Sequence, residues 1–181
     1  DGVGHPPAIL AAAILATTVL TVMALQHDHL AALDFIDASQ QAQMIDSGTA
    51  KAGLYGWLLW GVHQIVGEIV SSGGMLSVFA GVGSVVAATR MLGPWAGLWL
   101  LAQVSVLQAA TVPGSSMILS MCILWSVYAA EEHKAFLCGL WLALSIALAG
   151  WVWPVAMVVL WFSGRWLVVG SVTATLLGLL Y

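Results

Sequence analysis

A chain of 181 residues with 61% apolar and only 7% charged residues departs from ordinary soluble domains, in which roughly 25% of residues are charged. Its mean hydropathy of +1.01 places it in a membrane. A net charge of −4 with only four Lys and Arg residues argues against nucleic acid as a partner, because phosphate binding needs clustered cations that displace counterions.

Apolar runs of about 17 residues or more, nearly free of charge, read as transmembrane helices, since about 20 residues cross the hydrocarbon core and fewer suffice where the bilayer thins. The period-two alternation of a membrane barrel is not present in the sequence. Spans are predicted at 8–26, 52–70, 74–89, 94–111, 115–130 and 135–150, followed by a Pro-interrupted run over 151–162 and a last span over 166–181. The expectation is an all-α polytopic bundle of seven or eight short helices, forming a single integral membrane domain across 1–181. The opening "DGVGHPP" has no basic residue and no small-residue cleavage pattern follows the first run, so that run reads as a retained span and not as a signal peptide. A first residue Asp1 instead of Met suggests either processing or a chosen starting point.

Between the first and second spans, residues 27–51 form a connection long enough for structure of its own. In "HLAALDFIDASQQAQMIDSG", Leu30, Leu33, Ile36 and Met44 fall near one helical face and Asp34, Asp37 and Gln41 on another. This pattern predicts an amphipathic helix lying along the membrane surface. Asp34 and Asp37 stand one turn apart, where they can share a proton, hold a divalent cation or deprotonate a hydroxyl; the plainer reading is the wet face of an interfacial helix. Just before them, His27, Asp28 and His29 offer nitrogen and oxygen ligands for a transition metal. Such a site needs the turn to fold back, and a solvated helix end is the simpler alternative.

The second span, "GLYGWLLWGVHQIVGEIV", carries His63, Gln64 and Glu68 at membrane depth, with Gln64 and Glu68 on one face at i, i+4. His63 is a candidate axial ligand for a tetrapyrrole and Glu68 a candidate proton carrier. Hydrogen bonds to a neighbouring helix explain the same residues, and the "SSGG" that follows would bring Glu68 to the surface. On the third span, Ser77, Gly81, Ser84 and Ala88 recur at three- or four-residue spacing, a small-residue stripe for close helix packing within the bundle or against another subunit.

The later connections "LGPW", "TVPGSS", "AEEHK" and "SGR" are short, so successive helices should be antiparallel neighbours. Cys122 and Cys138 lie inside spans without His or Cys at ligand spacing, which argues against a zinc site or a disulfide framework. Trp57, Trp95, Trp151, Trp153 and Trp166 sit at run ends, where an amphipathic ring suits the headgroup level. If Pro154 separates two short helices, Lys51, Arg90, Lys134 and Arg165 share one face, and the positive-inside rule makes that face cytoplasmic. If 135–163 is instead one long kinked helix, Arg165 moves to the other face.

The order of features also resembles a known family. A first span, an acidic juxtamembrane helix ending in Gly ("LDFIDASQQAQMIDSG") and a Tyr-containing start of a second span ("AGLYGWLLWGVHQIVG") resemble the N-terminal transmembrane module of the GT-C superfamily glycosyltransferases. "ATRMLGPWAGLWLLAQVSVLQAATVPGSSMILSMCILWSVYAAEE" is similar to their run of short helices, and "KAFLCGLWLALSIALAGWVWPVAMVVLWFSGR" to the helix pair that follows. The resemblance implies a polytopic enzyme taking a sugar from a polyprenyl-phosphate donor. It puts the acidic catalytic position on Asp34 or Asp37, as base toward an acceptor hydroxyl or as support for a cation, with Asp28 a further candidate.

The residues weigh against that implication. Four basic side chains offer little to hold a lipid phosphate, which calls for Arg or Lys. The charge bias puts the 27–51 connection in the cytoplasm, where the family has it outside, and seven or eight spans leave out the family's C-terminal half. The expectation is therefore a non-catalytic subunit of a larger respiratory or photosynthetic membrane complex in a bacterial inner membrane, with the lipid bilayer and other membrane proteins as partners. The transferase is the alternative.

Overall fold

The computed structural model describes residues 6–26, 33–46 and 53–180. Among the described residues the chain is all-helical, with α1 (Pro6–Gln26), α2 (Leu33–Asp46), α3 (Leu54–Val66), α4 (Ile69–Leu92), α5 (Pro94–Ala102), α6 (Val104–Thr111), α7 (Ser116–Glu131), α8 (Ala135–Leu148), a 3-10 turn (Gly150–Val152), α9 (Trp153–Phe162) and α10 (Trp166–Leu180). Two helical stretches, Pro6–Ala24 and Ile69–Leu92, are long and apolar enough to cross a membrane, and a third is added if Ser105–Thr111 and Ser116–Glu131 are taken as one broken span. The chain is a membrane protein. It divides into two compact units, Asp1–Ile118 and Leu119–Tyr181, described separately below.

In the first unit, α4 is the central element and packs against α1, α3, α5 and α6. Its sequence explains why. Ser72, Gly73, Ser77, Ala80, Gly81, Ser84, Ala87 and Ala88 are all buried, and small side chains let neighbouring backbones approach closely. A Cβ added at Gly81 would lie 2.6 Å from Leu20 Cδ1 of α1 and 2.9 Å from Ala110 Cβ of α6. The α1 helix carries no charge and begins with Pro6 and Pro7, in the first turn where a missing N–H costs nothing. Its Thr17 and Thr18 hydroxyls donate back to the Ala13 and Ile14 carbonyls at 2.8 and 2.9 Å, so neither exposes an unpaired polar group to lipid.

Two boundaries differ from the sequence expectation. The second span ends at Val66 instead of running to 70, because Gly67 adopts a left-handed conformation (φ 82°) and its N–H donates to the His63 carbonyl at 2.8 Å, a glycine helix stop. "SSGG" is then no connection: Ser71 to Gly74 belong to the first turns of α4, where the Ser72 hydroxyl donates to the Glu68 carbonyl at 2.6 Å. The expected span 94–111 is two short helices, parted at Gln103, whose backbone is extended (φ −72°, ψ 121°). Neither Gly nor Pro stands at that break.

The second unit is built on the pairing of α8 with α10. Gly139 makes it close: an added Cβ would lie 2.8 Å from Val172. The Thr173 hydroxyl, 3.2 Å from the Gly139 carbonyl and 2.8 Å from that of Val169, ties the two helices through a polar contact. Ala129, Cys138, Leu142, Ala156, Val159 and Val169 form the buried cluster, and Trp125 stacks on Trp141 with ring centroids 6.1 Å apart. Pro154 lies in the first turn of α9 and the 3-10 turn precedes it, so α8 and α9 are separate helices and not one kinked helix. Ala129, His133, Cys138, Ser163, Arg165 and Val169 line one narrow cleft, which places the turns holding Lys134 and Arg165 at the same end of this unit.

Candidate functional site

The residues that sequence reasoning singles out for chemistry gather on α2, α3 and the start of α4. On α2, Phe35, Ala38 and Ala42 are buried, following i, i+3 and i+7 along one face. Phe35 seats its ring where a side chain on Gly73 would stand. This face differs from the one that carries Ile36, 44% exposed, and Met44, 50% exposed. The ring and two alanines form the face packed toward α3, with Phe35 reaching Gly73 of α4, whereas Ile36 and Met44 point outward. Leu30 lies outside the described residues.

Asp34 belongs to the first turn of α2, and Asp37 is exposed on it. Gln41, placed by sequence with these aspartates, has a structural role instead. Its Oε1 accepts the Gly53 N–H at 2.9 Å. Gly53 precedes a helix that no side chain caps, so Gln41 ties α2 to the start of α3. His27, Asp28 and His29 lie outside the described residues. Among the described residues, no group of three or more His, Cys, Asp or Glu is placed to hold a metal ion.

On α3, Tyr55, Leu59 and His63 follow at four-residue spacing, with Tyr55 and Leu59 buried. The ring of His63 is partly buried, and its Nδ1 is buried without a hydrogen-bond partner among the described residues. Gln64 and Glu68 are both exposed, and they do not share the one helical face expected of them. The break at Gly67 separates them, and Glu68 belongs to the start of α4. There its Oε2 accepts the Ser71 hydroxyl at 2.6 Å, and a carboxylate is favoured by the helix macrodipole.

Of the small-residue stripe on α4, Ser77, Gly81, Ser84 and Ala88 are all buried. Ser77 has a polar role that its spacing alone did not indicate. Its Oγ lies 3.2 Å from the Val112 carbonyl and 3.4 Å from that of Gly114, and it accepts the Gly114 N–H at 3.3 Å. One hydroxyl thus satisfies irregular backbone between α6 and α7, which membrane depth tolerates only inside protein. The signal was a hydroxyl in the stripe together with the Pro-Gly of "TVPGSS".

The "EEHK" turn of the second unit is a helix stop with defined geometry. His133 sits at φ 56°, its N–H donates to the Ala130 carbonyl at 3.1 Å, and the Lys134 N–H reaches the Ala129 carbonyl at 2.9 Å. These two bonds form a Schellman motif. Lys134 lies 3.5 Å from Glu132 in a half-exposed pair, worth at most about 1 kcal/mol.

Comparison with protein-family models, with curated proteins and with solved structures found no match to the chain.

Proposed function

We propose that this chain is a non-catalytic integral membrane subunit, which packs in and stabilises a larger multi-subunit complex of a respiratory or photosynthetic kind in a bacterial inner membrane. It contributes seven or eight helices to the bilayer. The observation that carries the reading is how the polar side chains are used. Gln41 accepts the Gly53 N–H just ahead of α3, Glu68 receives Ser71, and Ser77 holds the 112–114 backbone. Thr173 joins α10 to α8. Each of these groups stabilises helix ends or helix pairs, the work of a scaffold. Phe79, Trp95 and Trp99 of the first unit are exposed and offer large surfaces to lipid and to neighbouring transmembrane helices. Lys134 and Arg165 at one end of the second unit support a cytoplasmic assignment for that end. Extraction from native membranes in mild detergent tests the reading: other membrane proteins should co-purify at fixed stoichiometry, and recovery of the chain alone contradicts it.

A second reading, the membrane half of a GT-C-like glycosyltransferase, is favoured by one observation: a separate helix follows the first span and exposes Asp37. Asp34→Asn and Asp37→Asn decide it. Loss of sugar transfer from a polyprenyl-phosphate donor would support it, and unchanged transfer in both would remove its base. His63 as a tetrapyrrole ligand predicts a visible absorption band in the purified protein that His63→Ala abolishes.

A further inference from the structure

The helices α8, α9 and α10 of the second unit are short for a membrane. α8 has 14 residues, α9 has 10 and α10 has 15. At 1.5 Å per residue α8 and α10 measure about 21 and 22 Å, and α9 with its 3-10 turn about 21 Å, against a hydrocarbon core of about 30 Å. One end of the unit is fixed by charge: Glu131, Glu132, Lys134 and Arg165 lie in or beside its two turns, and charged groups stay with the headgroups. The opposite end has no charge between Ala135 and Phe162. Its turn at 149–152 carries Trp151, 72% exposed, and Trp153, 58% exposed, while Trp161 and Trp166, 82% and 61% exposed, stand toward the charged end. Exposed indoles at both ends mark two headgroup levels.

With the charged end at one interface of an ordinary bilayer, the turn would stop about 9 Å short of the other. The helix break at Ala149, in extended backbone (φ −149°, ψ 100°), and the exposed start of the 3-10 turn would then lie in hydrocarbon, where unsatisfied groups cost several kcal/mol each. Thinning by about 9 Å, at a fraction of a kcal/mol per Å, costs a few kcal/mol in all, less than leaving more than one backbone group unsatisfied in hydrocarbon. We propose that the surface of the second unit is matched to a bilayer with a hydrocarbon core of about 21 Å, and that the unit recruits short-chain phospholipid around itself. Trp151 and Trp153 form one rim of this surface, and Trp161 and Trp166 the other. The proposal requires the chain to be in a membrane but not to belong to a complex, so its fate is separate from that of the subunit reading.

The experiment uses the purified full chain in phosphatidylcholine vesicles whose two monounsaturated chains have fourteen, eighteen or twenty-two carbons. Competition with brominated lipid, read by tryptophan fluorescence, gives relative lipid affinity. The expected result is a preference of about threefold or more for fourteen-carbon over twenty-two-carbon chains, much reduced in the Trp151→Phe/Trp153→Phe variant. Lipids brominated near the headgroup should quench the wild type more than that variant in fourteen-carbon vesicles. Equal affinity for all three chain lengths, or a preference for the longest, overturns the proposal. So does stronger quenching of Trp151 and Trp153 by bromine at the chain ends, which would place the turn at the midplane.

Discussion

Gly81 and Gly74 occupy the same helix but face different surroundings, and that difference can be measured. A methyl group at Gly81 meets Leu20 and Ala110, the second of them a short side chain that cannot swing away, whereas one at Gly74 meets nothing within 4 Å. Gly81→Ala should lower stability by about 1–3 kcal/mol through overpacking. Gly74→Ala should raise it by up to about 1 kcal/mol through helix propensity. Thermal unfolding in detergent, followed by tryptophan fluorescence, checks both signs. His133 gives a third case, since its left-handed φ of 56° is strained for a side chain and costless for glycine. His133→Gly should therefore raise the unfolding midpoint, by the equivalent of about 1 kcal/mol, and the β-branched His133→Val should lower it. The same residues show what the sequence disclosed. Small residues at helical spacing identified the α4 stripe, and Asp37 on a polar face is exposed. Nothing in "EEHK" announced a left-handed histidine, because that conformation is set by the two bonds closing the turn.

Helix boundaries were legible where one residue dictates them and obscure where packing does. Pro94 and Pro154 begin helices as their missing N–H requires. Gly67 ends α3, yet "SSGG" a few residues later carried the stronger appearance of a turn. Ser72 and Gly73 instead serve close contact, Gly73 against Phe35 and Ser72 against its own backbone. The same reasoning accounts for α2: hydrophobic spacing picked out the face of Ile36 and Met44, whereas the face packed against the protein is that of Phe35, Ala38 and Ala42. The α6–α7 connection depends on a single hydroxyl. Ser77→Ala leaves the buried Gly114 N–H without its acceptor, at a cost of about 1–3 kcal/mol. Faster amide exchange confined to 112–115 would identify the lost bond, and unchanged exchange there would show that Ser77 is only a spacer.

For the whole molecule, composition alone placed the chain in a membrane, and the helical fold agrees. The number of crossings was less legible. Apolar content does not distinguish a helix of 24 residues such as α4 from one of 10 such as α9, and Gln103 divides an otherwise continuous apolar run. Among the described residues, Gln41, Glu68, Ser77 and Thr173 make structural contacts at helix ends and between helices. The proposed role, a scaffold for other membrane proteins, has its most direct test in the composition of the particle extracted from native membranes in mild detergent, with the mass of the intact particle measured. A particle holding this chain and other membrane proteins in constant ratio is the predicted result. A chain recovered alone, transferring sugar from a polyprenyl-phosphate donor and losing that activity with Asp37→Asn, would contradict it.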